Sequence, residues 1–211
     1  MVKINHGPPA EIPISGSYSA GPDPQNPMAN GTQPLEQRKV ELVPHNPVWQ
    51  TMAGEEANLI KDALPEEITQ IYHIGSTSIP GIKAKPILDF VVVVRNIDRF
   101  DQMEIRLKEL GYQAKGERGI PGRRFFSKDT DGTRSHHLHV FEQGHPEIER
   151  HLRFRDYLRN HPEAARQYQE LKEKLAQRFP NRSSNYTEAK SEFILSIDKV
   201  ARCWHAEKQG E

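Results

Sequence analysis

From Arg38 onward the apolar positions follow two rhythms, one of two residues and one of three to four; residues 1–37 show neither. Val40-Glu41-Leu42-Val43 alternates weakly and predicts a short strand, ended by Pro44 and Pro47. Trp49 to Leu64 places Met52, Ala53, Glu56, Leu59, Ile60 and Ala63 at helical spacing. Ile68 to Ile74 reads as a second strand and Ile87 to Val94 as a third, buried on both faces. A helix is expected over Ile97 to Leu110, with Gly111 just past its end. Tyr112 to Lys115, Arg123 to Lys128 and His137 to Phe141 are further strands. After Gly144 the period is helical: Pro146 to Arg159, His161-Pro162 to about Phe179, and Tyr186 or Thr187 to about Trp204. Strands followed by helices predict an α+β fold, a mixed sheet with flanking helices and then a helical subdomain.

The first 37 residues carry Pro8, Pro9, Pro13, Pro22, Pro24, Pro27 and Pro34 among Gly, Ser and Asn. Such a segment buries too little apolar surface to offset its ordering entropy, so residues 1–37 are expected to be a disordered extension. The expected organisation is then a core over 38–144, a helical subdomain over 145–205 and a tail over 206–211. Lys plus Arg and Asp plus Glu each number 29, so no global field favours nucleic acid. The one cysteine, Cys203, allows no internal disulfide and makes a cytoplasmic location the expectation. No apolar run approaches the roughly 18–20 residues of a membrane helix. Nothing in the sequence speaks to oligomeric state.

One carboxylate sits in the most apolar strand. Alternation puts Ile87, Asp89, Val91 and Val93 on one face and Leu88, Phe90, Val92 and Val94 on the other. An ionised carboxylate in an apolar wall costs several kcal/mol unless it is paired or holds a metal. A local pair with Lys83 or Lys85 is one reading. The other uses the small-residue turn Gly75-Ser76-Thr77-Ser78, whose backbone and hydroxyls can cradle a phosphate beside a functional Asp89.

The string "HIGSTSIPGIKAKPILDFVVVV", from His73, resembles the signature of the GrpB family, a branch of the nucleotidyltransferase superfamily. "ELVPHNPVWQTMAGEEANLI", "GIPGRRFF", "SHHLHV" and "HLRFRDYLRNHPEAARQYQELKEKLA" with "YTEAKSEFI" resemble its other segments, together spanning about residues 38 to 205. The resemblance implies a nucleotidyltransferase-like fold with a Gly-Ser turn for the phosphates and two carboxylates, two residues apart, holding metal. Here the turn is Gly75-Ser76 and the first carboxylate Asp89, but the second position is Val91, which binds no metal.

His137 and His139 share one strand face, so with Asp89 they would make a two-histidine, one-carboxylate set, which suits Zn, Mn or Fe better than Mg; the expected cofactor is a divalent metal (Mg, Mn or Zn), and hydrogen bonding to substrate or stacking in a polar cleft is the alternative. His136 faces the other way and reads as structural. Gly75, Ser76, Thr77, Lys85, Arg123 and Lys190 are the candidate phosphate contacts, and Lys190 lies on the same helix face as Tyr186. Arg150, Arg153, Arg155 and Arg159 read first as solvated faces, with RNA contact the minor reading. The expected function is metal-dependent transfer of a nucleotidyl or phosphoryl group from a nucleoside triphosphate to a small molecule. A silent nucleotide-binding module is the alternative, as is a transferase using a coenzyme A precursor or aminoacyl-tRNA.

Overall fold

The computed structural model describes residues 38–209; the extension expected over 1–37 lies outside the described residues. Strands β1 (Ile68–Ile74), β2 (Leu88–Val94), β3 (Tyr112–Ala114), β4 (Arg124–Thr130) and β5 (Thr133–Glu142) form one sheet in the order β1-β2-β5-β4-β3. Only β2 and β5 run parallel; the other neighbours are antiparallel. The expected mixed α+β architecture is thus observed.

Central strand β2 is covered on both faces, which explains its unbroken apolar run. On one face Leu88, Phe90, Val92 and Val94 pack with Leu138 and Val140 of β5. Helix α1 (Val48–Ala63) closes that face through Trp49, Ala53 and Ile60, and Phe100 and Leu107 come from α2 (Ile97–Met103) and α3 (Ile105–Glu109). On the other, Val91 and Val93 meet Ile74, Phe141 and Ile148, the last from α4 (Pro146–Asn160). Helices α5 (Pro162–Arg178), α6 (Ser183–Glu188) and α7 (Ser191–Gln209) complete the chain. A second core joins α4, α5 and α7 to Ile79 and Ile82, just past the Gly75 turn.

Three expectations change. Val40–Val43 is not a sheet strand: Val43 makes one bridge to Ala84, and the Val40 N–H reaches the Pro180 carbonyl at 2.7 Å. Val40 packs on Leu175 and Tyr186, so the segment straps the helices rather than extending the sheet. The helix expected over Ile97–Leu110 breaks at Glu104, whose carbonyl takes both Leu107 N–H (3.0 Å) and Lys108 N–H (3.3 Å), a local tightening toward i+3 bonding. The last helix begins earlier, at Ser183, and is interrupted at Ala189–Lys190, then runs past Trp204 to Gln209. Gly111 does end its helix, at φ 88°.

His136 lies, as expected, on the face away from Asp89, stacked on Phe90 at 6.4 Å. It joins a buried polar knot: Glu56 accepts from the Tyr112 hydroxyl and from Lys128 Nζ, both at 2.8 Å. Removing one member leaves the others unpaired in a poorly solvated site. Glu56→Ala is therefore expected to lower unfolding free energy by about 2–4 kcal/mol, read by urea denaturation. Glu56→Gln should cost less.

Candidate active site

The site begins with a register. Ile74 pairs with Asp89, so the residue after β1 lands against the Asp89 side chain. That residue is Gly75, at φ 69°; a Cβ there would stand 2.5 Å from Asp89 Oδ2 and 3.0 Å from its Cβ. Left-handed backbone and lack of room both require glycine. The next residues form a 3-10 turn, Ser76–Ser78, pinned from inside. Ser78 donates its hydroxyl to Gly75 O (2.7 Å), and Thr77 donates to Ile87 O (3.1 Å), leaving His73 Nε2 to donate to Thr77 (2.9 Å). Burial pushes His73 down to about 4, which suits this neutral donor role. Arg155 and Arg159 hold the turn from α4 by donating to His73 O (3.2 Å) and Ser78 O (2.9 Å).

Asp89 and His137 are directly opposite across β2 and β5, with His137 Nδ1 2.8 Å from Asp89 Oδ1. Burial would raise the Asp89 carboxyl, but the His137 hydrogen bond and the charges of His137, His139 and Lys85 outweigh it and hold it below the usual carboxylate range. With Asp89 ionised, Nδ1 is the donor and Nε2 the acceptor, facing Arg134 Nη1 in a long contact at 3.5 Å.

Cations come from both halves of the chain. Lys85 donates to Ser183 Oγ at 3.2 Å and lies over the Tyr186 ring at 5.2 Å; Lys190 lies over that ring at 4.5 Å. Burial is the main cause that lowers each ammonium to about 8, with Lys190 adding repulsion at Lys85 and Asp89 opposing the fall at both. Lys172, buried, donates to Lys83 O, lies 4.8 Å over the Tyr168 ring, and is lowered by burial to about 7. Tyr168 in turn hydrogen-bonds Ser76, and burial lifts its phenol to about 12.

Gly75, Asp89 and His137 are thus in contact, and Lys85 and Lys190 meet over the Tyr186 ring within electrostatic reach of Asp89. The rest do not serve as foreseen. Thr77 is 2% exposed with its hydroxyl committed, so it pins the turn rather than offering itself to phosphate. Arg123 faces this side of the sheet, but its guanidinium is tied to Glu117 O (3.0 Å), Arg118 O (2.8 Å) and His139 Nδ1 (3.2 Å). His139 accepts from Arg123 and packs on His151 at 5.1 Å, and burial keeps it well below its ordinary range. The expected two-histidine metal set is therefore not assembled: a guanidinium occupies the lone-pair side of His139. Among the described residues no group of three or more His, Cys, Asp or Glu is placed to hold a metal. Val91, at the usual second-carboxylate position, is 0% exposed in the apolar layer. The donor set does not fit a two-metal centre.

The arginines considered for RNA have internal partners: Arg150 with Glu147 and Asp198, Arg153 with Glu149, Arg155 and Arg159 with the turn. Sequence reasoning missed Tyr168, Lys172 and Arg134. The four-residue spacing of Tyr168 and Lys172 on α5 was the available signal.

Residues 39–199 match the protein family described as GrpB protein. The chain belongs to the GrpB family. Its relatives include the UPF0157 protein YqkA of Bacillus subtilis, 46% identical over 79% of this chain but only 48% of that protein, so the chain spans about half the length of that relative. The Glutamate-rich protein GrpB of Alkalihalophilus pseudofirmus is 36% identical over 75% of this chain and 94% of its own length. A dephospho-CoA kinase of Mycolicibacterium paratuberculosis is 24% identical over 95% of this chain and 55% of that protein. Among solved structures, the conserved protein GrpB from Enterococcus faecalis overlays at TM-score 0.73 with 38% identity, covering 78% of this chain and 99% of that one. The GrpB assignment therefore rests on sequence and on fold together.

Two outcomes follow for this GrpB site. Gly75→Ala should cost about 1–3 kcal/mol, seen as a lowered urea midpoint, because the new methyl displaces Asp89 and must adopt positive φ. Lys85 and Lys190 have folded values near 8, below the unfolded value of about 10.4, so the unfolded chain binds more protons between them. Stability of the ligand-free protein should therefore rise from about pH 8 to about pH 10. Lys85→Gln/Lys190→Gln should flatten that rise.

Proposed function

We propose that this GrpB-family chain is a transferase that moves a nucleotidyl or phosphoryl group from a polyphosphate donor to a hydroxyl or amine acceptor. One observation carries the reading: an oriented Asp89–His137 pair lies within electrostatic reach of two partly buried lysines that meet over the Tyr186 ring, a lysine recess whose charges gain from an added anion. Like charges confined together are relieved by a phosphate chain. Among the described residues no helix is long and apolar enough to cross a membrane.

In the proposed step Asp89 fixes the His137 tautomer through Nδ1–H, and Nε2 accepts the acceptor's proton. The freed oxygen or nitrogen forms a bond to phosphorus as the phosphorus–oxygen bond to the leaving phosphate breaks. Lys85 and Lys190 neutralise the leaving group, and the Gly75 turn packs against Asp89 and holds it in place. No step runs through a metal, because the donors are engaged with one another. The likeness to a dephospho-CoA kinase makes a coenzyme A precursor the first acceptor to assay.

A binding module without turnover is the second reading, favoured by the buried Val91. Two measurements separate them. Nucleoside triphosphate should raise the unfolding midpoint, by about 2.7 kcal/mol at 100 times Kd, and Lys85→Gln/Lys190→Gln should remove the gain. His137→Ala should then lower turnover by about 10²–10⁴-fold while keeping that gain. Binding with no turnover in the wild type selects the module; no stabilisation by any triphosphate overturns both readings.

A further inference from the structure

Beside the dyad, against His137 Nε2, lies a second gathering of cations. Arg134 is 8% exposed at its side chain and reaches in two directions: its Nε pairs with Asp129, and its Nη1 lies 3.5 Å from His137 Nε2. Arg38 approaches the same Asp129 from the start of the described chain, Nη2 to Oδ2 at 3.7 Å. Lys115, at the end of β3, and Arg118, in the loop before β4, complete the group.

That loop is built to hold its place. Gly116, Arg118, Gly119 and Gly122 all have positive φ, and the Arg123 guanidinium gathers the Glu117 and Arg118 carbonyls from beneath. Its acid, Glu117, is turned inward to the Gly122 N–H (2.6 Å) and toward Arg124 (3.8 Å). The Arg118 guanidinium is left over the Phe125 ring at 5.7 Å, in an exposed residue. Asp129 is thus the carboxylate that faces three cations, Arg38, Lys115 and Arg134, with Arg118 within reach of Arg134. After burial, the next influence on Arg38, Lys115 and Arg118 is repulsion from Arg134, and Lys85 feels both Arg38 and Arg134. The two cationic groups therefore lie within electrostatic reach of each other, and Arg134 brings the second against His137 Nε2.

We propose that this shelf binds a phosphate group carried by the acceptor, so that the substrate is a phosphomonoester whose free hydroxyl or amine is delivered to His137. The assignment rests on the transferase reading above and gives it a substrate class. Two cationic groups near one base suit two phosphorylated reactants, one lending its chain to Lys85 and Lys190 and the other held by Arg134 and its neighbours. A single triphosphate needs only the first site.

The test uses the full chain and two probes, inorganic tripolyphosphate for the lysine recess and adenosine 3′,5′-bisphosphate for the shelf, with Lys115→Gln/Arg118→Gln as the variant. Both substituted residues are exposed, and neither is assigned to proton transfer or to the donor. Calorimetry should show bisphosphate affinity reduced about tenfold or more in the variant, with a shallower salt dependence, and tripolyphosphate affinity unchanged. Lys85→Gln/Lys190→Gln should show the reverse pattern. Unchanged bisphosphate affinity in the shelf variant overturns the proposal, as does bisphosphate binding lost only with the two lysines. If the wild type ignores tripolyphosphate yet binds the bisphosphate through the shelf, the shelf stands and the transferase reading falls. An oligonucleotide with a terminal phosphate identifies the phosphate's source. Tighter, shelf-dependent binding than the bisphosphate assigns it to nucleic acid, and equal or weaker shelf-dependent binding to a small molecule.

Discussion

The pairing of Ile74 with Asp89 is the constraint on which the rest depends. It brings the end of β1 so close to a carboxylate on the central strand that the next residue has no room for a Cβ. Gly75 then turns the chain away, and Ser76–Ser78 is pinned to β2 through Thr77 and to α4 through Arg155 and Arg159. A slip of one residue would turn Asp89 into the α1 face and send Phe90 toward the lysines. The apolar faces of β2 forbid that slip, so the core fixes the site.

Parallel pairing of β2 with β5 adds the second member. It sets His137 directly beside Asp89, and the same alternation that buries Leu138 and Val140 presents His137 and His139 together. Their fates then diverge through neighbours on β4 and α4. His137 keeps one nitrogen for Asp89 and turns the other toward Arg134. His139 is walled in by Arg123 and His151. A triad of ligand types is present, but the fold divides it into a proton-handling pair and a buried support.

Much of this was legible in the sequence because it depends on local period. The strand at Ile68–Ile74, the two faces of β2, the sidedness of His136 against His137, and the Gly75 turn all follow from alternation and from glycine's freedom. What was not legible depends on partners distant in the chain. Arg123 looked like a clamp because its face could be read, but not that Glu117 O, Arg118 O and His139 would engage it. Lys172 looked like one more charge on a polar helix; only the packed structure places its ammonium over Tyr168 and against Lys83 O. Val40–Val43 had the alternation of a strand but found its partners in the turn after α5, at Pro180, and in an isolated bridge at Ala84.

The account's central claim is that the recess is electrostatically unfinished until an anion enters it. Proton titration of the Lys85 and Lys190 side chains by NMR, with assignments from single Lys→Arg variants, tests this most directly. Without ligand both should titrate near 8. With a saturating non-hydrolysable nucleoside triphosphate both should rise toward their ordinary value of about 10.4, because a nearby anion favours the charged ammonium. Ordinary values in the free protein, or values that triphosphate leaves unmoved, would contradict it.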